Sequence, residues 1–334
     1  MLIATIDAGT SNTRVYLWQD TTILAEAQMP IGVRHTAIDR HNKKLTAAVR
    51  DTLREAARKA GVTVDEIACI LGAGMLTSNV GLKEIPHLAA PISLDALSHA
   101  IVPCHLPEIC PQVIHLIPGI KNMNDMSFTD ETIGHMDIMR GEETEAAAIL
   151  QCFPSVEHMV LILPGSHNKY IAVSNGDTIC GCLTTLAGEL LHAMTFDTIL
   201  ASSTAQSYAK HYDAEAFQRG VVCRRQSGFG HAAFMARILD LFHEATPNVV
   251  QNYLLGILLA DDLIALRKSH LFPNLSEAVF IIAGNPLMQA AYKTLLASEN
   301  YPTRSLDQDT MCALSGRGAI ALARRASLFR EGYA

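Results

Sequence analysis

Several features that mark whole classes of protein are missing from this sequence. Basic residues are not in excess, because 26 Lys and Arg stand against 33 Asp and Glu, so the chain lacks a positive field that would hold a nucleic-acid backbone. The eight cysteines show no framework spacing, which is typical of reduced thiols in the cytoplasm. Residues 1–7 have no basic segment ahead of an apolar run, and we expect no later run to cross a bilayer. These absences predict a cytoplasmic protein without a nucleic-acid or membrane partner.

What the sequence has is length and apolar content for two domains. About half of its 334 residues are apolar (49%), enough for two cores. Short apolar runs alternate with segments of helical spacing, which predicts an α/β fold. The expected strands are residues 3–6, 14–18, 23–28, 67–71, 113–117, 160–163, 170–173 and 279–283, and the expected helices are residues 45–60 and 249–270 and one that starts at Pro286. We place the domains at residues 1–154 and 155–334 and expect the last helix to pack on the first domain.

Two stretches repeat the order strand, polar turn, strand. The first turn follows Asp7 and the second starts at Gly165; when they are aligned without a gap, Gly9 coincides with Gly165 and Asn12 with Asn168. An internal duplication explains this pattern. Two unrelated hairpins would also use Gly, Ser and Asn in their turns, so the repeat alone leaves both interpretations open.

The turn after Asp7 has the chemistry of a phosphate site. Gly9 lets a backbone approach an anion, Ser11 and Asn12 offer donors, and Asp7 is a ligand type for hydrated Mg²⁺. It is not a Walker loop, because no Gly-Lys-Ser/Thr follows. A plain hairpin turn would use the same residue types for its geometry, and that alternative stays open.

An acidic run precedes the second turn. Glu142, Glu143 and Glu145 introduce an alanine-rich helical stretch. Acids are common at a helix start because the helix dipole stabilises them. The functional interpretation is a general base, since phosphoryl transfer needs a carboxylate that accepts the proton of the acceptor hydroxyl.

These motifs, in this order and over nearly the whole chain, resemble the 2-dehydro-3-deoxygalactonokinase family of the actin, Hsp70 and sugar kinase superfamily. The matching motifs are Asp7-Ala8-Gly9-Thr10-Ser11-Asn12, Ala73-Gly74-Met75-Leu76-Thr77-Ser78-Asn79-Val80-Gly81, Ile117-Pro118-Gly119, Met139-Arg140-Gly141-Glu142-Glu143-Thr144, Leu163-Pro164-Gly165-Ser166-His167-Asn168-Lys169, Gly188-Glu189-Leu190 and Ala283-Gly284.

The resemblance implies a fold and an activity. The fold would be two ribonuclease-H-like (actin-like ATPase) domains with an ATP cleft between them. The activity would be ATP- and Mg²⁺-dependent phosphorylation of the terminal hydroxyl of 2-dehydro-3-deoxy-D-galactonate to the 6-phosphate. A kinase of another sugar or amino sugar, and a non-catalytic nucleotide-binding regulator, remain alternatives, and a homodimer is an open option.

The resemblance also implies roles for individual residues. Alignment on the alanines of residues 146–148 puts Glu143 at the base position, with Glu142 as the fallback and Asp7 as the catalytic metal ligand. The implied ATP ligands are Gly9, Thr10, Ser11, Asn12, Gly165, Ser166, His167, Gly284 and Asn285. The implied acceptor residues are Gly74, Met75, Ser78 and Asn79, with Arg14, Lys83, Arg140 and Lys169 as cations for the substrate carboxylate or as ordinary ion-pair residues.

The chain departs from the family pattern at four places. Ala8, Leu82 and Tyr170 stand where the family usually has tryptophan, and Ala260-Asp261-Asp262 stands where its long helix commonly has Gly-x-Glu, so Asp262 is a weak match to that glutamate. Loss of flat aromatic surfaces changes which sugar acid fits without preventing ATP binding.

Overall fold

The structure, a computed structural model, describes residues 1–123, 129–130 and 132–329. The strands in this part of the chain are β1 (Leu2–Ala8), β2 (Thr13–Gln19), β3 (Thr22–Met29), β4 (Cys69–Gly74), β5 (Leu88–Ala89), β6 (Ile92–Ser93), β7 (Val102–His105), β8 (Val113–Leu116), β9 (Ile120–Lys121), β10 (Ile138–Met139), β11 (Met159–Leu163), β12 (Asn168–Ser174), β13 (Thr178–Thr185), β14 (Val279–Ile282) and β15 (Thr303–Ser305). The α-helices are α1 (Val33–Asp39), α2 (Lys43–Lys59), α3 (Leu94–His99), α4 (Glu142–Cys152), α5 (Ala187–Phe196), α6 (Ala214–Ser227), α7 (Phe229–His243), α8 (Pro247–Lys268), α9 (Pro286–Ala297), α10 (Gln308–Met311) and α11 (Leu314–Arg325).

The chain divides into two compact units that are discontinuous in sequence. The first unit consists of Met1–Glu157, Ser174–Gly181 and the chain from Cys312 onward. The second consists of His158–Val173 and Cys182–Met311. The helix α11 thus belongs to the first unit, although it follows the second unit in sequence.

The first unit has three layers around a six-stranded sheet of order β3-β2-β1-β4-β8-β7. Successive side chains of β1 point to opposite faces. On one face Ala4 and Ile6 share a core with Leu45, Val49 and Leu53 of α2. On the other face α11 packs against β1 and β4, and α4 packs against α11. Asp7 follows Ile3 and Thr5 in the β1 alternation and so points to the α4 and α11 side.

The second unit repeats the strand order of the first. Its strands run β15-β14-β11-β12-β13, which matches β8-β4-β1-β2-β3. In the first sheet β1 is antiparallel to β2 and parallel to β4. In the second sheet β11 is likewise antiparallel to β12 and parallel to β14. The α/β class and the pair of ribonuclease-H-like domains expected from the sequence are therefore confirmed, and the duplication explains the repeated turn.

The strand register corrects the gapless alignment of the two turns. Asp7 pairs with Arg14, and Leu163 pairs with Lys169. The first turn thus spans residues 8–13 and the second spans residues 164–168, which makes the second turn one residue shorter. Lys169, and not Tyr170, therefore occupies the position of Arg14.

The helix α8 corrects the expectation about apolar runs. By length and composition alone this helix, Pro247–Lys268, is long and apolar enough to cross a membrane. In its most apolar stretch 78% of the residues are buried inside the protein. A core helix of a soluble protein passes the same test, so the helix is weak evidence for a membrane span.

Close backbone contact joins α6 to α8. A Cβ on Gly220 would lie 2.0 Å from the carbonyl oxygen of Tyr253, and a Cβ on Gly256 would lie 2.1 Å from that of Phe217. A larger residue at either position would force the helices apart. Residues of α8 also line the cavities described below.

We predict that Gly256→Ala destabilises the second unit by about 1–3 kcal/mol through overpacking of this contact. Gly230→Ala on α7 is the matched control, because a Cβ there would meet nothing within 4 Å; the control should be neutral or stabilise by up to about 1 kcal/mol. Thermal unfolding followed by circular dichroism measures both variants. Equal melting temperatures for the two would contradict the proposed tight contact.

Candidate active site

The first turn is held from outside by the start of α1. The amides of Val33 and Arg34 donate to the carbonyl oxygens of Gly9 and Thr10 at 3.1 and 3.0 Å. Gly32 lies so close that a Cβ on it would be 2.4 Å from Gly9 O. Two carbonyl oxygens of the turn are therefore held by α1. Three predicted ATP ligands in this turn, Thr10, Ser11 and Asn12, are exposed.

The second turn is held in the same way by the start of α5. A Cβ on Gly188 would lie 2.0 Å from Gly165 O. The amide of Glu189 donates to Ser166 O at 2.9 Å, and its carboxylate lies 3.0 Å from His167 Nε2. Glycine in this position is required by the close backbone approach. The two halves of the chain thus share a turn that is held by a glycine and by the backbone amides that follow.

Two neighbouring cavities of the second unit open beside the second turn. The smaller, of about 280 Å³, is lined by Pro164, Gly165, Ser166, Asn168, Ala187, Gly188, Leu191, Tyr208, Leu255, Leu258, Leu259, Asn285 and Met288. The larger, of about 500 Å³, is lined by Leu191, Thr195, Tyr208, Ala209, Lys210, Gln251, Leu255, Asn285, Pro286, Leu287 and Met288. They share Leu191, Tyr208, Leu255, Asn285 and Met288. A path therefore leads from a polar turn to a mainly apolar pocket.

Asn285 lines both cavities, and Gly284 forms the bend directly before it. Gly284 has a φ of +95° and would place a Cβ 3.1 Å from Pro164 Cγ, so the bend between β14 and α9 favours glycine. Asn285 caps α9, and its Oδ1 accepts from the amide of Met288 at 2.9 Å. The structure thus places Asn285 on the same path as Gly165 and Ser166, while Gly284 lies directly before Asn285 and against Pro164.

Carboxylates gather at the start of α4 in the first unit. Glu143 is fully buried, and its Oε2 accepts from the amide of Gly141 at 2.7 Å. Among the described residues, its Oε1 has no hydrogen-bond partner. Glu142 raises the pKa of Glu143, Glu145 and Asp7 by its charge, so these acids act on one another.

Burial is the main cause of the altered pKa values in this cluster. It raises the pKa of Glu143 and of Glu145 to about 8 each, with the charge of Glu142 as the next cause. It raises the pKa of Asp7 to about 6, against the opposing attraction of Arg14. Strongly perturbed carboxyls of this kind are typical of functional sites.

Gly74 brings a loop next to this cluster. Because β1 and β4 are parallel, Asp7 lies opposite Ala73. A Cβ on Gly74 would be 2.5 Å from Asp7 Oδ1, and Gly74 has a φ of +71°, which favours glycine. A Cβ on Gly141 would lie 3.3 Å from Gly74 Cα. The end of β1, the loop after β4 and the start of α4 therefore converge at one point.

Arg140 braces that loop from inside. Its Nη1 donates to Thr77 O at 2.7 Å and also contacts Thr77 Oγ1. Its Nη2 donates to Ile85 O and lies 3.1 Å from His87 Nδ1. Burial lowers the pKa of Arg140, and burial, then the charge of Arg140, lowers the pKa of His87 to about 4. The guanidinium therefore holds the loop of residues 74–87, here called the acceptor loop.

The other predicted acceptor residues have different surroundings. Ser78 is buried, and its hydroxyl donates to Met75 O at 2.8 Å, so it stabilises the loop itself. Asn79 and Lys83 are exposed. Arg14 is exposed too, with its Nε 3.5 Å from Glu26 Oε1. The exposed side chains are the ones that are open to a ligand.

The remaining cation candidate, Lys169, lies in the second unit. It is buried, and its Nζ donates to Thr184 Oγ1 at 2.5 Å. An ammonium group held in this way has a structural contact inside its own sheet.

The sequence model of the 2-keto-3-deoxy-galactonokinase family matches residues 7–318. The chain belongs to this family. A probable 2-dehydro-3-deoxygalactonokinase of Rhizobium meliloti (strain 1021) is 24% identical over 317 residues, which cover 92% of this chain and 92% of the relative. The 2-dehydro-3-deoxygalactonokinase of Escherichia coli (strain K12) is 24% identical over 290 residues, which cover 84% of this chain and 85% of the relative.

A solved structure has the same fold. A crystal structure from Sinorhizobium meliloti, provisionally named a 2-dehydro-3-deoxygalactonokinase, matches with a TM-score of 0.75 at 21% identity. The match covers 99% of this chain and 98% of the other. The family resemblance inferred from the motifs is therefore confirmed. The protein is a kinase, a phosphotransferase with an alcohol acceptor, and the family and its curated relatives support a sugar acid as acceptor and ATP as phosphoryl donor.

Two departures of this kinase from the family pattern contact each other. Tyr170 and Asp262 are both buried, and the Tyr170 hydroxyl donates to Asp262 Oδ2 at 2.6 Å. A buried tyrosine hydroxyl needs a hydrogen-bond partner, and the carboxylate of Asp262 accepts from it. The other two departures are apolar and lie in or against the core of the first unit, namely Ala8 and Leu82.

Sequence reasoning about the kinase gave no role to three groups near these sites. Glu145 stands in the acidic run and lies one helical turn after Glu142, so its spacing could have revealed it. Gly32 precedes an ordinary helix start and could be recognised only from its counterpart Gly188. Tyr208, from the segment between α5 and α6, lines both cavities, and no local pattern marks it.

We predict that Arg140→Lys loosens the acceptor loop of the kinase, because an ammonium cannot replace a planar fork that reaches two carbonyl oxygens. Hydrogen exchange followed by mass spectrometry should show faster exchange of peptides from residues 75–87. Arg14→Lys is the matched control, since its guanidinium is exposed and only 3.5 Å from a carboxylate. Unchanged exchange in Arg140→Lys would show that the guanidinium does not brace the loop.

Proposed function

We propose that this kinase transfers the γ-phosphoryl group of ATP to the terminal hydroxyl of 2-dehydro-3-deoxy-D-galactonate and forms the 6-phosphate. The observation that carries the proposal is the path from the second turn into the larger cavity. Its volume of about 500 Å³ lies within the range of small-ligand sites, which is roughly 300–1,000 Å³. The identity of the acceptor is taken from the curated relatives, which are named 2-dehydro-3-deoxygalactonokinases.

ATP is proposed to lie along this path. The amide of Glu189 holds the carbonyl oxygen of Ser166, and the amide of Gly165 donates to Asn168 Oδ1. The turn amides proposed to face an anion are therefore those of Ser166 and His167. The start of α5 adds the positive end of a helix dipole on the same side. We place the nucleoside in the larger cavity beside Tyr208 and Asn285, with Gly284 forming the bend directly before Asn285. We assign the same phosphate chemistry to Gly9, Thr10, Ser11 and Asn12, because their turn is held in the same way.

Asp7 is the residue we propose to hold Mg²⁺. Its carboxyl lies at the end of β1 and experiences the negative charge of Glu142, and a divalent cation would relieve that repulsion. The described residues contain no group of three or more His, Cys, Asp or Glu side chains that could hold a metal ion. Mg²⁺ is commonly held by one or two carboxylates with phosphate oxygens and water, and the carboxylate of Asp7 would be one such ligand. When bound, the ion neutralises phosphate charge.

Glu143 is the residue we propose as general base, with Glu142 as the alternative. Glu143 Oε1 has no hydrogen-bond partner among the described residues, while Oε2 is fixed by the amide of Gly141. One oxygen is thus anchored and the other is available for a hydroxyl proton. Its pKa of about 8 gives it the proton affinity that a base needs near neutral pH.

The acceptor is proposed to bind at the acceptor loop, near Gly74, Met75 and Asn79. The contacts of Arg140 favour a positioning role for this residue. The exposed Lys83 and Arg14 are then the better candidates for the substrate carboxylate in this unit. A cation for that carboxylate would favour sugar acids over neutral sugars.

The test is a coupled ADP-release screen over 2-keto sugar acids and neutral sugars. We expect kcat/KM for 2-dehydro-3-deoxy-D-galactonate to exceed that for galactose by about 10²-fold or more, since a neutral sugar leaves the carboxylate-binding cation unpaired. ADP release without acceptor is the background control. A neutral or amino sugar that outperforms every sugar acid would overturn the assignment of the acceptor.

We predict that Glu143→Gln lowers kcat by about 10²–10⁴-fold, because the amide keeps the shape and removes the proton acceptor. Glu142→Gln and Glu145→Gln lie on the same turn of α4 and serve as controls, each with a smaller loss. Calorimetric affinity for ADP should stay within a few-fold in all three. A full loss in Glu142→Gln with normal turnover in Glu143→Gln would move the base by one residue.

The pH dependence of kcat/KM is a second test of Glu143 as the base. A base with a raised pKa works only when it is ionised, so kcat/KM should rise with pH towards about 8. Because the acids are coupled, this limb reports the cluster and not one residue. Glu143→Gln should flatten the limb. An unchanged limb in Glu143→Gln would assign the titration to another group.

A further inference from the structure

A closed circuit of buried polar side chains lies behind the second turn. It consists of Asn168, Tyr170, Asp262 and Tyr292, each at most 5% exposed. Asp262 Oδ2 accepts from Asn168 Nδ2 at 2.9 Å and from the Tyr170 hydroxyl at 2.6 Å. The Tyr292 hydroxyl lies 2.7 Å from that of Tyr170 and accepts from Asn168 Nδ2 at 3.0 Å. The circuit joins β12, α8 and α9, which belong to the same unit.

The hydrogens of this circuit can be assigned in one consistent way. A carboxylate only accepts, so Tyr170 must donate to Asp262, and Tyr292 must then donate to Tyr170. Asn168 uses one amide hydrogen for Asp262 and the other for Tyr292. No donor in the circuit is left over, and the direction of every bond follows from the negative charge of Asp262.

Asn168 connects the circuit to the turn. Its Oδ1 accepts from the amide of Gly165 at 3.1 Å, while its Nδ2 faces Asp262. An asparagine amide has nearly the same shape when it is flipped by 180°, so its orientation depends on its hydrogen-bond partners. An acceptor-only group at position 262 holds the Nδ2 side, and the oxygen is therefore directed to Gly165.

We propose that Asp262 is a positioning residue for the phosphate turn, because it fixes the orientation of the Asn168 amide and through it the backbone of Gly165. The inference rests on the proposed function, in which this turn binds ATP. A buried carboxylate whose partners are neutral is costly, and an aliphatic side chain would suffice for packing alone. The cost is explained if the charge determines the geometry of a ligand-binding turn.

The test exchanges the two partners. Asn168→Asp keeps an oxygen for the Gly165 amide but places a carboxylate against Asp262; we expect ADP affinity to fall by about 10-fold or more. Asp262→Asn keeps the shape but replaces an acceptor-only group with an amide that can present a donor to Asn168, so we expect ADP affinity to fall by about 3-fold or more. The double variant, Asn168→Asp with Asp262→Asn, restores a donor opposite an acceptor and should recover to within about 3-fold of the wild type.

Tyr170→Phe is the matched control. It removes the other donor to the same oxygen of Asp262 and leaves the bond between Asn168 and Asp262 intact, so ADP affinity should hold even where the melting temperature falls. The readouts are calorimetric ADP affinity, thermal unfolding, and KM for ATP against KM for the sugar acid. KM for ATP should follow the affinity in Asn168→Asp, while KM for the sugar acid stays near the wild-type value.

The outcomes separate this inference from the function on which it rests. If the wild type binds neither ADP nor an ATP analogue, the proposed function fails, and this inference with it. If the wild type binds nucleotide and the double variant is no better than Asn168→Asp, the positioning role is overturned. A loss in Tyr170→Phe as large as that in Asn168→Asp would also overturn it, since general stability would then explain both.

Discussion

Close contact between backbones, made possible by glycine, is the constraint on which the rest of this structure depends. Gly32 and Gly188 lie against the carbonyl oxygens of the two turns at distances that exclude any side chain. Gly318 of α11 makes a similar approach to Thr144 O of α4 in the first unit. Amides at the start of the following helix hold two carbonyl oxygens of the first turn, Gly9 O and Thr10 O, and one of the second, Ser166 O. These contacts fix the backbone of each turn, and a fixed backbone preorganises the amide donors that phosphate binding requires.

Buried charge is the second theme, and it is concentrated where the two units carry their candidate sites. The acids around the start of α4 have raised pKa values because burial disfavours their ionised forms. In the second unit, Asp262 is buried among neutral donors, and burial raises its pKa while Tyr170 and Asn168 oppose the rise. In both places a buried carboxylate is connected to the backbone amide of a glycine at the candidate site. Glu143 accepts directly from Gly141, and Asp262 is connected to Gly165 through the side chain of Asn168.

In the second unit, the two residues that depart from the family pattern, Tyr170 and Asp262, are explained by their contact with each other. Tyr170 needs a hydrogen-bond acceptor, and Asp262 supplies it. Neither substitution is understandable alone, since a buried hydroxyl or a buried carboxylate without its partner would be unfavourable. Ala8 and Leu82, in contrast, leave the first unit with smaller apolar side chains.

The sequence by itself determined the class of fold, the order of the motifs and the family. These properties are local: strand and helix periodicity, glycine turns and the acidic run are all readable from neighbouring residues. The tertiary structure decided what depends on distant pairs. It showed that the second turn is one residue shorter than the first, since strand register is set by pairing. It showed that Arg140 donates hydrogen bonds to the acceptor loop and that the Ser78 hydroxyl bonds within that loop. It also showed that Asn168 donates to Asp262. Such assignments arise from contacts between residues far apart in the chain, and a periodic pattern carries no information about which distant partner a side chain will meet.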